Sequence, residues 1–321
     1  MTDPFITKPG AYFDIDMSDY HRNPHLLPGP SLSSSGAKAI LEKSPFHFWA
    51  DSPLNPNRSP ENDKPHFAVG KAAHDLILLG GDWEDEYYTL PEGFAFNKTR
   101  MFAEEIEAAK FARDEMGKTL IKHEDMELVK RIADRISGSE DALNALRNGK
   151  PEVTLAWQDE ETGVWLRARP DFLPNSVILG QDVRAVPDLK FMAGSHCSPA
   201  GFSKAIANFG YHQSAAFYDA GIEAIYGESP NYWLFIVVEK DEPHSVSIYQ
   251  LPKPDLERGK AQNRVAIRTF AECLNRGVEA RHWPAFTAEP EVIGLPGWAR
   301  HAIDTHGSLQ QAALVNALEG E

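Results

Sequence analysis

The chain has 321 residues, 42% of them hydrophobic, with 32 Lys and Arg against 47 Asp and Glu and a formal net charge of −15. That length supports one large domain or two small ones with a substantial core, and the acidic balance argues against indiscriminate nucleic-acid binding. The two cysteines, Cys197 and Cys273, lie far apart in no CxxC pattern, which argues against a disulfide framework, a structural zinc site and an iron–sulfur cluster.

No segment has the ~18 continuous apolar residues of a membrane span, so no membrane partner is expected. The opening MTDPFITKPGAYFDID has neither a basic start nor an apolar run, and a cytoplasmic setting is the expectation. Residues 1–30, rich in Pro, Asp and His, read as an extended N-terminal arm. In SLSSSGAKAILEKSPFHFWA, Ser33 to Ser35 offer N-caps, Ala37, Ile40 and Leu41 recur at helical spacing, and Pro45 starts a second short helix. After a Pro- and Asn-rich loop at 51–65, HFAVGKAAHDLILLG predicts an apolar helix stopped by Gly80 and Gly81. Residues 98–147 predict two charged amphipathic helices that break near Gly117–His123. These stretches make 31–150 a helical N-terminal part. From 151 the texture changes. EVTLAWQ, VWLRARPDFL and AVPDLKFM are strand-like, two helices hinged at Gly210 follow, then strands NYWLFIVVEK and SVSIYQL, then a long polar helix over 254–276. This order predicts an α/β core over 151–280, with 281–321 as a C-terminal tail whose aromatics, Trp283 and Trp298 among them, dock.

The chemistry gathers on two of the strands. Residues two apart on a strand share a side, so Trp165, Arg167, Arg169 and Asp171 face together, and so do Asp188 and Lys190. Neighbouring strands lie ~4.8 Å apart, close enough for Asp171 and Asp188 to converge. Two unpaired carboxylates at that distance raise one another's pKa, and a hard divalent cation, Mg²⁺ or Mn²⁺, relieves this. Lys190 then stands where an ammonium orients an attacking water or stabilises a phosphoryl group, or where a lysine of lowered pKa takes a proton. The pattern is that of a phosphodiester hydrolysis site.

Pro170-Asp171 followed by Asp188-Leu189-Lys190 resembles the PD-(D/E)XK nuclease superfamily. GKAAHDLIL resembles the Gly-xxx-His helix of its RecB-like and exonuclease VIII-like branch. PEVTLAW resembles the strand that carries a further acid, GYHQSAAFY the helix after the lysine strand, and LSSSGAKAILEKSPFHFWA with WPAF…LPGWA the phage-type (RecE-like) exonuclease VIII family. The likeness spans roughly residues 30–300. It implies a restriction-endonuclease-like mixed central sheet flanked by helices. It also implies a Mg²⁺ site, with Mn²⁺ as substitute, formed by His74, Asp171, Asp188 and the Leu189 backbone carbonyl, and catalytic parts for Glu152, Lys190 and Tyr218. It further implies 5′→3′ digestion of DNA from duplex ends in phage-type recombination, in a bacterial or phage-infected cytoplasm. A homo-oligomeric ring and a single-strand annealing protein partner belong to the same expectation. A ring would answer the charge objection, with lysines of the first helices and, unless they pair with Asp171, Arg167 and Arg169 lining the bore; Ser35 is the DNA contact expected at a helix N-terminus. The family's Tyr-x-x-Gln-Ala-Ala-x-Tyr keeps Tyr211 and Tyr218 but has Ser214 at the Gln position, with Gln213 one residue early, ~100° around the helix; both are expected on DNA.

Two other readings stay open. His74-Asp75 is the pair an HD-type metal phosphohydrolase needs, with His66 and His123 as further ligands. The Ser214 departure fits a catalytically weak DNA-binding protein that retains the nuclease fold.

Overall fold

The structure, a computed structural model, describes residues 5–13, 15–58, 65–79, 86–95, 102–182, 184–287 and 289–319. The chain opens with strand β1 (Gly10–Tyr12), helix α1 (Met17–Arg22), strand β2 (Ser31–Ser33) and helices α2 (Ser34–Glu42), α3 (Pro45–Asp51) and α4 (Pro65–Leu79). Short strands β3 (Tyr87–Thr89) and β4 (Thr119–Ile121) flank α5 (Ala103–Asp114), and α6 (His123–Ser137) and α7 (Glu140–Ala145) follow. Next come β5 (Gly149–Pro151), β6 (Thr154–Gln158), β7 (Trp165–Ala168), β8 (Phe172–Pro174), the single turn α8 (Asn175–Ile178) and β9 (Ala185–Met192). Helices α9 (Pro199–Asn208) and α10 (Tyr211–Tyr226), strands β10 (Tyr232–Glu239) and β11 (Val246–Gln250), and α11 (Lys253–Arg276) complete a compact unit that runs from Met1 to Trp283. A second unit, Pro284–Glu321, holds α12 (Gly297–Glu319). Among the described residues no helix is long and apolar enough to cross a membrane.

The result is a mixed α/β fold with helices on the faces of its sheets. One sheet has the order β1-β6-β7-β2, with β2 parallel to β7 and the other pairs antiparallel. The pairs β3-β4 and β5-β8 form two-stranded sheets, and a second larger sheet has the order β11-β10-β9, with β9 parallel to β10. A parallel pair needs a crossover, and α9 and α10 supply it. Pro187 lacks an N–H, and β9 is an edge strand, where a missing donor costs least.

Alternation along β9 decides where the chemistry points. Val186 and Met192 join the larger core with Leu155, Phe202, Phe217 and Phe270. Leu189 packs on the opposite face with Ile236, Val238 and the α4 and α6 residues Ala72, Ala73, Val129 and Ile132. Each such apolar side chain contributes roughly 1.5–3 kcal/mol on burial. With its odd and even positions both anchored, β9 cannot slip by one residue, and Asp188 and Lys190 are fixed on the side that faces α10.

Several sequence expectations change. The described residues of the expected extended arm, 5–13 and 15–30, are packed instead: β1 pairs with β6, and Ile6, Ile15, Tyr20, Leu26 and Leu27 pack with Ala156 and Trp165. Their apolar residues are too widely spaced to show a period. VWLRARPDFL is two strands, because Pro170 cannot donate to a ladder and the chain leaves one sheet for another. The break at 117–123 contains β4, paired with β3. Trp283 is buried, against Phe48 and Phe270, whereas Trp298 is exposed. The expected stop at Gly80–Gly81, residues 59–64 of the loop and Val183 lie outside the described residues.

Candidate active site

Pro170 ends the β7 segment, and Asp171 stands at the entry to β8. Its backbone carbonyl accepts the Glu152 N–H at 3.0 Å, and its Oδ2 accepts the Leu189 N–H at 2.8 Å. The acid ahead of β8 is thus tied to the acid ahead of β6 and to the middle of β9. Glu152 has φ +51°, left-handed for a side chain with a Cβ, a conformation that persists only where surroundings hold it. Those surroundings are Arg169, whose Nε donates to Glu152 Oε2 at 2.7 Å, and His74, whose Nδ1 lies 3.3 Å from Oε1. The other ring nitrogen of His74 lies 3.4 Å from Asp171 Oδ1. Asp188 pairs with Lys190, whose ammonium also reaches the Leu189 carbonyl and sits 5.1 Å from the Tyr211 ring centroid.

Buried acids and bases perturb one another strongly. Burial works against ionisation of Asp171, but Lys190, His74 and the Leu189 amide overcome it and hold the carboxyl well below its usual range. Burial pushes Asp188 up to about 6; Lys190 opposes the shift and the Asp171 charge adds to it. Burial would lower His74, yet Asp171, Asp75 and Glu152 bring it up to about 10. Burial would lower Lys190 as well, and Asp188 and Asp171 carry it the other way. The shift of Lys190 is upward, the direction of a group that stays an ammonium and opposite to the one a proton acceptor needs. Burial, together with Asp188 and Asp171, keeps the Tyr218 phenol neutral.

Asp171, Glu152, His74, Arg169, Ser35, Ser214 and Tyr218 all line one cleft of about 330 Å³. Asp188 and Lys190 adjoin it through Leu189, with Asp188 4% exposed. Ser214 and Tyr218, four residues apart on α10, share the face that the sequence predicts. Three DNA contacts expected from sequence are placed otherwise. Gln213 is 2% exposed, and its turn around the helix aims it into the core, where its amide nitrogen has no hydrogen-bond partner. Arg169 is spent on Glu152 and the Ile15 carbonyl. Arg167 bonds Ser31 and lines a separate pocket of about 170 Å³, and the Tyr20 ring lies over both arginines, 5.3 and 5.6 Å away.

The HD pair fares poorly. Asp75 is buried and accepts the Tyr87 hydroxyl at 2.6 Å, so it closes a core contact, and the His66 side chain lies outside the described residues. Sequence reasoning missed Met17, Tyr20 and His21, which α1 contributes to the cleft wall; Lys38 of α2, one of the first-helix lysines, lines it too. A signal existed for Lys38 alone, one helical turn beyond Ser34 and Ser35.

The donor set suits a hard divalent ion: carboxylate oxygens and one imidazole, with Asp188 driven up to about 6 by its surroundings. Among the described residues no three of these side chains stand arranged as a metal shell. His74 bridges Glu152 and Asp171 instead, and Lys190 takes Asp188.

A family model described as a PDDEXK-like domain of unknown function (DUF3799) matches residues 33–286. No curated protein matches the chain significantly. Among solved structures, a candidate exonuclease from Eubacterium rectale aligns with a TM-score of 0.53 at 15% identity, over 83% of this chain and 90% of that one. That likeness concerns the fold. A second structure, SSO0001, aligns over 64% of this chain and 86% of that one at 10% identity with a TM-score of 0.25, too slight to carry an argument.

Proposed function

The chain belongs to the PDDEXK-like DUF3799 family, and on that premise we propose that its cleft hydrolyses DNA phosphodiesters as a metal-dependent exodeoxyribonuclease working 5′→3′ from duplex ends. The observation that carries the reading is the Asp171 carboxylate bonded to the Leu189 amide, between Asp188 and Lys190, with His74 and Glu152 on its other side.

In this reading Asp171, Asp188, His74 and the Leu189 carbonyl hold Mg²⁺, for which Mn²⁺ substitutes. Such an ion, when bound, polarises a phosphoryl oxygen and lowers the pKa of water. The protein's own groups do the rest. Lys190, kept protonated, donates to a phosphoryl oxygen or holds a water in line with it. Glu152, clamped by Arg169, is the acceptor that orients the water. Tyr218 is a neutral phenol beside the acids and donates a hydrogen bond. Ser35 and Ser214 offer hydroxyls to the sugar–phosphate backbone. A homo-oligomeric ring, an annealing partner and a role in recombination in a cytoplasmic setting belong to the same proposal, supported by the sequence resemblance alone.

A linear duplex incubated with Mg²⁺, and in parallel with chelator, tests it. Loss of 5′-end label from the linear duplex with parental protein, absent with chelator, while closed circular DNA stays intact, is the expected result. A gel shift without degradation at any Mg²⁺ or Mn²⁺ concentration would overturn the enzyme and leave a DNA-binding protein on a nuclease fold.

A further inference from the structure

We propose that Lys38, rather than the motif lysine Lys190, supplies the unneutralised positive charge that draws a substrate phosphate into the cleft. The role rests on the nuclease reading and adds a residue to it. Two lysines belong to this site, and their surroundings differ. Lys190 is paired with Asp188 and lies in the field of Asp171, so its charge is already answered. Lys38 lines the cleft and makes no ion pair among the described residues. Its ammonium donates to the Phe209 carbonyl at 3.1 Å, at the C-terminal end of α9.

That placement is built. Gly210, at φ +61°, lets the chain turn from α9 into α10 directly under the lysine stem, where a Cβ would lie 2.8 Å from Lys38 Cδ. The stem therefore rests on backbone, and the ammonium is held at the Phe209 carbonyl. Burial and the Lys190 charge both work against this ammonium, and Glu42 and Asp188 return only part of the loss. A cation so placed is stabilised by an anion that enters the cleft, and a phosphodiester brings one. Ser34, four residues before Lys38 on the same helix face, also lines the cleft; it is 6% exposed and its hydroxyl has no hydrogen-bond partner. The ligand chemistry that satisfies both groups is a phosphate oxygen, an acceptor of charge-assisted bonds from an ammonium and of a bond from a hydroxyl.

The experiment is duplex binding by fluorescence anisotropy in chelator, so that nothing is cut, over salt from about 50 to about 400 mM, because each lost phosphate contact flattens the plot of log affinity against log salt by about 0.9. Lys38→Met keeps the stem on Gly210 and should flatten that slope by about 0.9 and weaken binding about tenfold. Lys38→Arg should keep the slope. Lys190→Met should lose turnover and flatten the slope by less than Lys38→Met does; an equal or larger flattening overturns the ranking of the two lysines. A stem with a purely structural role would move the urea midpoint of Lys38→Met and leave its slope alone. Parental slope and affinity in both Lys38→Met and Lys38→Gln, in a protein that still digests duplex, overturn the assignment and spare the nuclease reading. A parental protein that neither binds nor digests duplex overturns both.

Discussion

Arg169 is a clear case in which geometry replaces the role that sequence suggests, and a double-mutant cycle measures it. Its side chain is 11% exposed and that of Glu152 13%. At an effective dielectric near 20, two unit charges about 4 Å apart attract by about 4 kcal/mol. Arg169→Met leaves the Glu152 carboxylate buried beside Asp171. The expected cost is about 3 kcal/mol, at the low end for breaking a buried pair, because His74 still lies 3.3 Å from Oε1. Glu152→Gln costs less, about 2 kcal/mol, since Arg169 keeps the Ile15 carbonyl at 2.7 Å and the Tyr20 ring at 5.6 Å. Independent losses would add to about 5 kcal/mol, whereas removing both charges together should cost about 2–3, a coupling of about 2–3 kcal/mol. Urea unfolding of the four proteins, followed by circular dichroism with linear extrapolation, gives the coupling directly. A value under about 0.5 kcal/mol would mean that the two residues are independent, and the account of Glu152 as a strained acid held by Arg169 would fail.

Three further outcomes are expected. Asp188→Ala and Lys190→Ala should each abolish cleavage in a label-release assay while the circular dichroism spectrum stays parental; digestion at the parental rate by either one removes the site assignment. Gln213→Leu should leave duplex binding and turnover unchanged and raise the urea midpoint slightly, because a buried amide nitrogen without a partner is replaced by hydrocarbon of similar size; a loss of turnover returns Gln213 to the site. The third concerns pH. Burial would raise Asp159, but the Thr162 hydroxyl and amide and Arg264 lower it. A carboxyl depressed on folding stabilises above its unfolded pKa of about 3.9, and that stability is lost as pH falls through the folded value. Asp159→Asn should therefore narrow the stability gap between neutral pH and about pH 3, read by urea midpoints at each pH; an unchanged gap refutes the pair as a source of acid sensitivity.

What the sequence disclosed follows from how far each signal reaches along the chain. AVPDLKFM is self-contained: alternation, an acid, a lysine and an edge-tolerant proline all lie within β9, and the strand forms as expected. His74 needed only the spacing from Gly70 on one helix. Arg167 and Arg169 share a face, as period two requires, but the partners that claim them come from elsewhere: Tyr20 and Ile15 from the N-terminal segment, Glu152 from the entry to β6. No local pattern marks those contacts, so the sequence offers the arginines only DNA or the neighbouring Asp171. Gln213 is the converse case. The ~100° step between neighbours on a helix decides everything there. The structure puts Ser214 on the cleft side and Gln213 in the core, and a shift of one residue in register would have exchanged them.

The net charge of −15 looks like the strongest argument against a DNA substrate, and distance disarms it. At physiological salt the Debye length is about 8 Å, so exposed acids farther than that from the cleft are largely screened from it. Within it the acids Glu152, Asp171 and Asp188 stand against His74, Arg169, Lys190 and Lys38, while Asp75 is turned to Tyr87. Even with His74 neutral, as a metal ligand must be, the three cations Arg169, Lys190 and Lys38 match the three carboxylates. A phosphate that enters meets a local balance and one unanswered ammonium, not the average surface. The sign that matters for binding is set by side chains brought together from α2, α4, β7 and β9, a sum that composition cannot report.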